Sequence, residues 1–83
     1  MTTEQRQQIL DRCRSSGVNA RWIRCLRYYQ LALSRRTETG CRFARIDVSN
    51  LAHIRGYVRG ARGDGRCLVA GITAICEVME VTR

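Results

Sequence analysis

Apolar positions fall into helical spacing over most of this chain. Residues 3 to 15 are largely polar, with Ile9, Leu10 and Cys13 as the sizeable apolar side chains. Thr2 and Gln5 can form a capping box ahead of them, and Glu4 suits the positive end of a helix. Gly17 stands where a glycine ends a helix, and Asn19 is a good N-cap for another. From Ala20 to about Arg36, Trp22, Leu26, Tyr29 and Leu33 recur at spacings of four, three and four, and Ile23 widens the stripe. That pattern predicts a second amphipathic helix.

Cys41 to Val48 reads either as a short strand or as an extended link, because Phe43, Ile46 and Val48 do not alternate cleanly. Ser49 or Asn50 can cap a third helix carrying Leu51, Ile54 and Val58, weakened by Gly56 and Gly60 at about 1 kcal/mol each relative to alanine. After a loop at residues 62–65, the segment from Arg66 to Val81 fits a helix with Leu68, Ile72, Ile75, Cys76 and Met79 on one face. The fold expected is mostly α, a bundle of about four helices in one domain spanning residues 1–83. The expected core is Trp22, Ile23, Leu26, Leu33, Leu51, Ile54, Leu68, Ile72 and Ile75. The alternative is α+β, with residues 41–48 and 66–82 as strands, which the β-branched content of the last segment keeps open.

Charge changes the picture from fold to partner. The 83 residues carry fifteen Arg, no Lys and seven acids, for a net charge of +8 and a pI near 10.3. Such a balance points to an anionic partner. Between Arg12 and Arg36 lie seven Arg and no acid, so the basic surface belongs to the first two-thirds of the chain. A domain this small buries only about 60% of its unfolded surface. The apolar last segment therefore suggests a homodimer. No secretory signal is legible, and the longest apolar run, Cys67 to Cys76, is too short for a bilayer that needs about 20 residues. A cytoplasmic protein that does not engage a membrane is expected. Five cysteines without a CxxC, and one histidine, argue for reduced structural thiols over disulfides or zinc.

One constellation carries a specific function. Ile9 to Tyr28 resembles a helix-turn-helix, with Cys13 as the small residue of the first helix, Gly17 in the turn, Val18 after it, and Ile23 and Leu26 as the packing pair. Arg12 departs from that pattern, standing where the first helix normally offers an apolar residue. The resemblance implies a DNA-binding regulator in which Asn19, Arg21 and Arg24 read the major groove while Arg12, Arg14, Arg27 and Arg35 hold phosphates. Size and composition are also similar to small accessory proteins of temperate phages. That likeness implies an inhibitor or adaptor that blocks a host complex, such as a CRISPR effector, a motility ATPase or a transcription regulator. Trp22, Tyr28, Tyr29 and their neighbouring Arg residues would then contact an acidic host protein surface. Arg55 to Arg66 (RGYVRGARGDGR) resembles the Arg/Gly-rich segments that bind RNA. Catalysis finds no support: His53 has no partner at helical spacing, and Asp11, Asp47 and Asp64 are scattered. The expectation is a non-enzymatic binding protein without a cofactor.

Overall fold

The computed structural model describes residues 1–50 and 53–81. The chain runs as helix α1 (Thr3–Ser15), strands β1 (Asn19–Arg24), β2 (Tyr29–Thr37), β3 (Gly40–Asn50) and β4 (His53–Tyr57), a short 3₁₀ turn (Gly60–Arg62), and helix α2 (Gly65–Met79). The strands form one antiparallel sheet in the order β1-β2-β3-β4. Both helices lie on one face of it, α1 against β1 and α2 across β2, β3 and β4. Among the described residues the other face carries no helix.

The two end helices follow their local signals. The Thr2 hydroxyl accepts from the Gln5 backbone at 3.1 Å, and the Gln5 side chain accepts from the Thr2 backbone at 2.8 Å. At the far end Gly17 takes φ +79°, Gly17 N–H donates to Arg14 and Val18 N–H donates to Cys13. This left-handed close satisfies the last carbonyls of the helix and drops Val18 into the core. Asp64 caps α2, accepting from the Arg66 backbone at 2.9 Å.

The middle of the chain overturns the four-helix expectation: the fold is α+β. Residues 20–36, read as a helix on the stripe Trp22, Leu26, Tyr29 and Leu33, form β1, β2 and the turn between them. A period of two competes with that stripe. Ala20 and Trp22 share the inner face of β1, and Tyr29, Leu31 and Leu33 share that of β2. The helical stripe leaves out Leu31, which is fully buried, and includes Leu26, which sits at the hairpin tip 97% exposed. Asn19 begins a strand where an N-cap was expected. The third helix is replaced by β4, and Leu51 lies outside the described residues. The α+β alternative holds for residues 41–48, which fall within β3, while 66–79 are helical.

The core is a sandwich of Ile9 and Cys13 from α1, Leu31, Leu33, Ala44, Ile46 and Val48 from the sheet, and Cys67, Ile72, Ala74 and Ile75 from α2. Close approach is set at Gly71, where a Cβ would stand 2.5 Å from Leu33 and 2.6 Å from Ile46. Ile72 and Ile75, expected in the core, are buried there. Trp22 joins the layers from the side. Its indole N–H donates to the Arg6 carbonyl at 3.0 Å, its ring meets Tyr29 edge-on, and the Arg6 guanidinium lies 4.7 Å from the Tyr29 ring centre. Among the described residues no helix is long and apolar enough to cross a membrane.

Candidate nucleic-acid interface

Strand alternation decides what the open face displays. Every residue that buries inward from β3 (Ala44, Ile46, Val48) leaves its neighbour pointing outward: Phe43, Arg45, Asp47. The register sets these against Ser34, Ala32 and Gln30 of β2, and Ala32 in turn against Arg21 of β1. Arg45 stands opposite Tyr57 of β4, and Asp47 opposite Arg55. The outer face therefore has a low floor, Ala32 and Ser34, with long side chains around it. Phe43 and Tyr57 are both 42% exposed on it.

Two shallow hollows meet on this surface. One is bounded by Asn19, Arg21, Ser34, Phe43 and Arg45. The second is bounded by Gln30, Asp47, Tyr57, Arg59 and Arg62, and it shares Phe43 and Arg45 with the first. Phe43 and Arg45 thus form the ridge between them. The loop after β4 is tied down to deliver its arginines here. Gly63 bridges Phe43, and Asp64 N–H donates to the Phe43 carbonyl at 2.9 Å. A Cβ on Gly63 would stand 2.6 Å from the Arg59 nitrogen, so only glycine allows this fold-back.

The charges are sorted by layer. Among the described residues the ion pairs are Arg12–Glu77 at 2.7 Å, Arg14–Asp11 at 3.9 Å, and Arg35–Asp64, all on the helix side of the sheet. None engages Arg21, Arg36, Arg45, Arg55, Arg59 or Arg62. Asp47 is the acid on the open face, and it is occupied by the Gln30 amide at 2.8 Å, whose oxygen accepts from Arg45 at 3.3 Å. The outer face thus keeps most of its positive charge unneutralised.

The structure disperses the residues expected from the helix-turn-helix resemblance, whose second helix is absent. Asn19 and Arg21 are on the open face. Arg24, Arg27 and Tyr28 are at the β1–β2 hairpin end. A side-chain hydrogen bond with Cys25, with the nearby Cys25 and Asp47 charges, holds the Tyr28 hydroxyl above the usual phenol range. Arg12 and Arg14 sit at the end of α1, and Arg12 binds α2 through Glu77. Arg35 points inward and pairs with Asp64, on the helix side of the sheet and away from Asn19 and Arg21. Burial alone would raise the Asp64 carboxyl. The bonds from Arg35 and the Arg66 backbone, the Arg35 charge and the Cys67 thiol hold it below the ordinary carboxylate range. Burial pushes the Cys13 and Cys67 thiols up to about 11. Phe43 and Arg45 were missed. Their signal was present: once Phe43 is set on the outer face, Ala44, Ile46 and Val48 alternate without exception.

Comparison with known protein families, with characterised proteins and with solved structures found no match. Among the described residues no cluster of three or more metal-ligating side chains occurs.

Proposed function

We propose that this chain is a non-enzymatic nucleic-acid-binding protein of the cytoplasm that works through the open face of its sheet. The observation that carries the reading is the sorting of charge. The ion-paired arginines occupy the helix layer, while among the described residues Arg21, Arg45, Arg55, Arg59 and Arg62 make no ion pair and surround two exposed aromatic rings. Arginine beside a phosphate backbone releases condensed counterions, so affinity depends steeply on salt. A titration of labelled nucleic acid at two salt concentrations tests this. Binding should weaken with salt, and Arg21→Glu or Arg45→Glu should weaken it further, while Arg14→Glu on the helix side should change little. Equal effects from all three would point to unlocalised charge attraction and reject the face.

A second reading, a protein-directed inhibitor, is favoured by the β1–β2 hairpin tip. There Leu26 is 97% exposed beside Arg27 and Tyr28, residue types that anchor interfaces. Leu26→Ser should leave nucleic-acid binding unchanged but abolish capture of an acidic host protein, if the tip is the working surface.

A further inference from the structure

We infer that the ligand of the open face is a single-stranded polynucleotide with unstacked bases, two of which lie on Phe43 and Tyr57. This rests on the nucleic-acid reading of the same face and names its substrate class. The face is four strands wide, so its outer strands are about 14 Å apart at the usual spacing. The major groove of B-form DNA is about 12 Å wide and admits one helix or a two-stranded ribbon. The floor at Ala32 and Ser34 lies in the middle strand pair and cannot reach base edges inside a groove. A duplex would meet only the tips of the arginines.

Tyr57 is directly opposite Arg45, and Phe43 is two residues along the same strand face, so the two rings are diagonal neighbours. Diagonal neighbours on an antiparallel pair are about 7–8 Å apart. That exceeds the 3.4 Å rise between stacked nucleotides of one strand. Adjacent bases seated on these two rings must therefore be splayed from each other, a state open to single strands, loops and bulges and closed to paired stacks.

Phe43 has the low Ser34 beside it, and Tyr57 stands on the edge strand opposite Arg45, with guanidinium groups that make no ion pair around both. Arg45 rises between them, with Arg21 across the first hollow and Arg59 and Arg62 around the second. A base on each ring would leave its phosphate within reach of these cations. Gln30, Asn19 and Asp47 add donors and acceptors at the hollow edges. Stacking on aromatics with backbone neutralisation by Arg is the combination by which proteins hold single strands with little sequence preference.

The test is fluorescence anisotropy with the full chain at fixed salt, using labelled oligouridylate, labelled oligothymidylate and a blunt DNA duplex, each about 12 units long, within the range common for single-strand sites. The single strands should bind more tightly than the duplex. Equal affinity of the two single strands means that backbone and rings suffice. A preference for the oligouridylate adds a contact to the 2′-hydroxyl, and either pattern supports the inference. Phe43→Ala and Tyr57→Ala should each weaken single-strand binding about 5- to 150-fold. Tyr57→Phe should restore binding, because the ring and not the hydroxyl is used. The salt slope should stay unchanged in these variants and should fall in Arg45→Gln. Circular dichroism of each variant confirms that the sheet is intact. Binding of the duplex as tight as the single strands, with no loss in Phe43→Ala and Tyr57→Ala, overturns this inference while leaving the nucleic-acid reading standing. Binding of none of the three probes overturns both.

Discussion

Arg35→Met should cost this protein much of its stability, although Arg35 is one of fifteen arginines. The guanidinium pairs with Asp64, whose side chain is 6% exposed, and Asp64 also caps α2 and accepts from the Cys67 thiol. Removing Arg35 leaves a buried carboxylate with only neutral donors. Breaking a buried ion pair costs about 3–5 kcal/mol. Arg35 keeps 28% of its side-chain exposure, so water can enter on that side, and the low end, about 3 kcal/mol, is expected. A domain of this length has about 4–12 kcal/mol of total stability. With a urea slope near 1 kcal/mol per molar, the unfolding midpoint should fall by about 3 M. Asp64→Asn should cost less, about 1 kcal/mol, because asparagine caps equally well and Arg35 can turn to water. Arg35→Met with Asp64→Asn should be more stable than Arg35→Met alone, since no unpaired charge remains. The depressed Asp64 carboxyl gives the same interaction a pH signature. Its contribution is complete above the unfolded carboxylate value of about 4 and is lost as pH falls through the lower folded value. Asp64→Asn should therefore flatten the acid limb of stability against pH. If Arg35→Met shifts the urea midpoint no more than Arg21→Ala, the pair does not hold α2 and the reasoning fails.

Gly71→Val should lower stability by about 2–3 kcal/mol through overpacking against Leu33 and Ile46, read as a fall in thermal midpoint with unchanged helix content in the folded baseline. In the native protein a thiol reagent at mildly alkaline pH should modify Cys41 first. Cys13 and Cys67, buried and pushed up to about 11, should react only on unfolding, which mass mapping of labelled peptides would show. Trp22→Phe should cost about 1 kcal/mol by losing the hydrogen bond to the Arg6 carbonyl, visible in the urea midpoint. Arg24→Ala, at the hairpin end and out of the two hollows, should bind nucleic acid like the unaltered chain, whereas Arg21→Ala should bind less well in the same titration.

The ends of the chain were legible because their signals are local. Thr2 with Gln5, and Gly17 with Val18, specify the start and stop of α1 through neighbouring backbone groups, and the apolar face of α2 repeats over four turns. The sheet was not legible because its pairing is not local. From Ala20 to Leu33, one set of apolar residues fits both a helix with four-three-four spacing and two strands with a turn at Leu26-Arg27. The difference between them is the fate of Leu31 and Leu26. A helix would put Leu31 beside polar neighbours and bury Leu26. The sheet buries Leu31 against α2 and leaves Leu26 in water, and the gain comes from partners more than ten residues away in β3. Tertiary burial decided between the two patterns, in a stretch whose aromatic residues Trp22, Tyr28 and Tyr29 also suit a strand.

The candidate site was obscured by the same feature that marks it. Phe43 disrupts the apolar alternation of β3 only if every apolar residue is assumed to face the core. A strand that already buries Ala44, Ile46 and Val48 has no inward place for Phe43, so the ring must stand on the outer face, in water, next to Arg45. Phe43 is left 42% exposed there, where a polar side chain would suit a solvent face better. Tyr57 repeats the arrangement on the adjacent strand, opposite the same arginine. Two rings in one neighbourhood, on the face that holds the unpaired arginines, are costs to solubility that the fold itself does not offset. Charge alone suggested an anionic partner and could not say where it binds. The strand register gathers the residues of the proposed face, bringing Arg21 from β1, Phe43 and Arg45 from β3, and Tyr57 from β4 onto one surface across 36 residues of sequence.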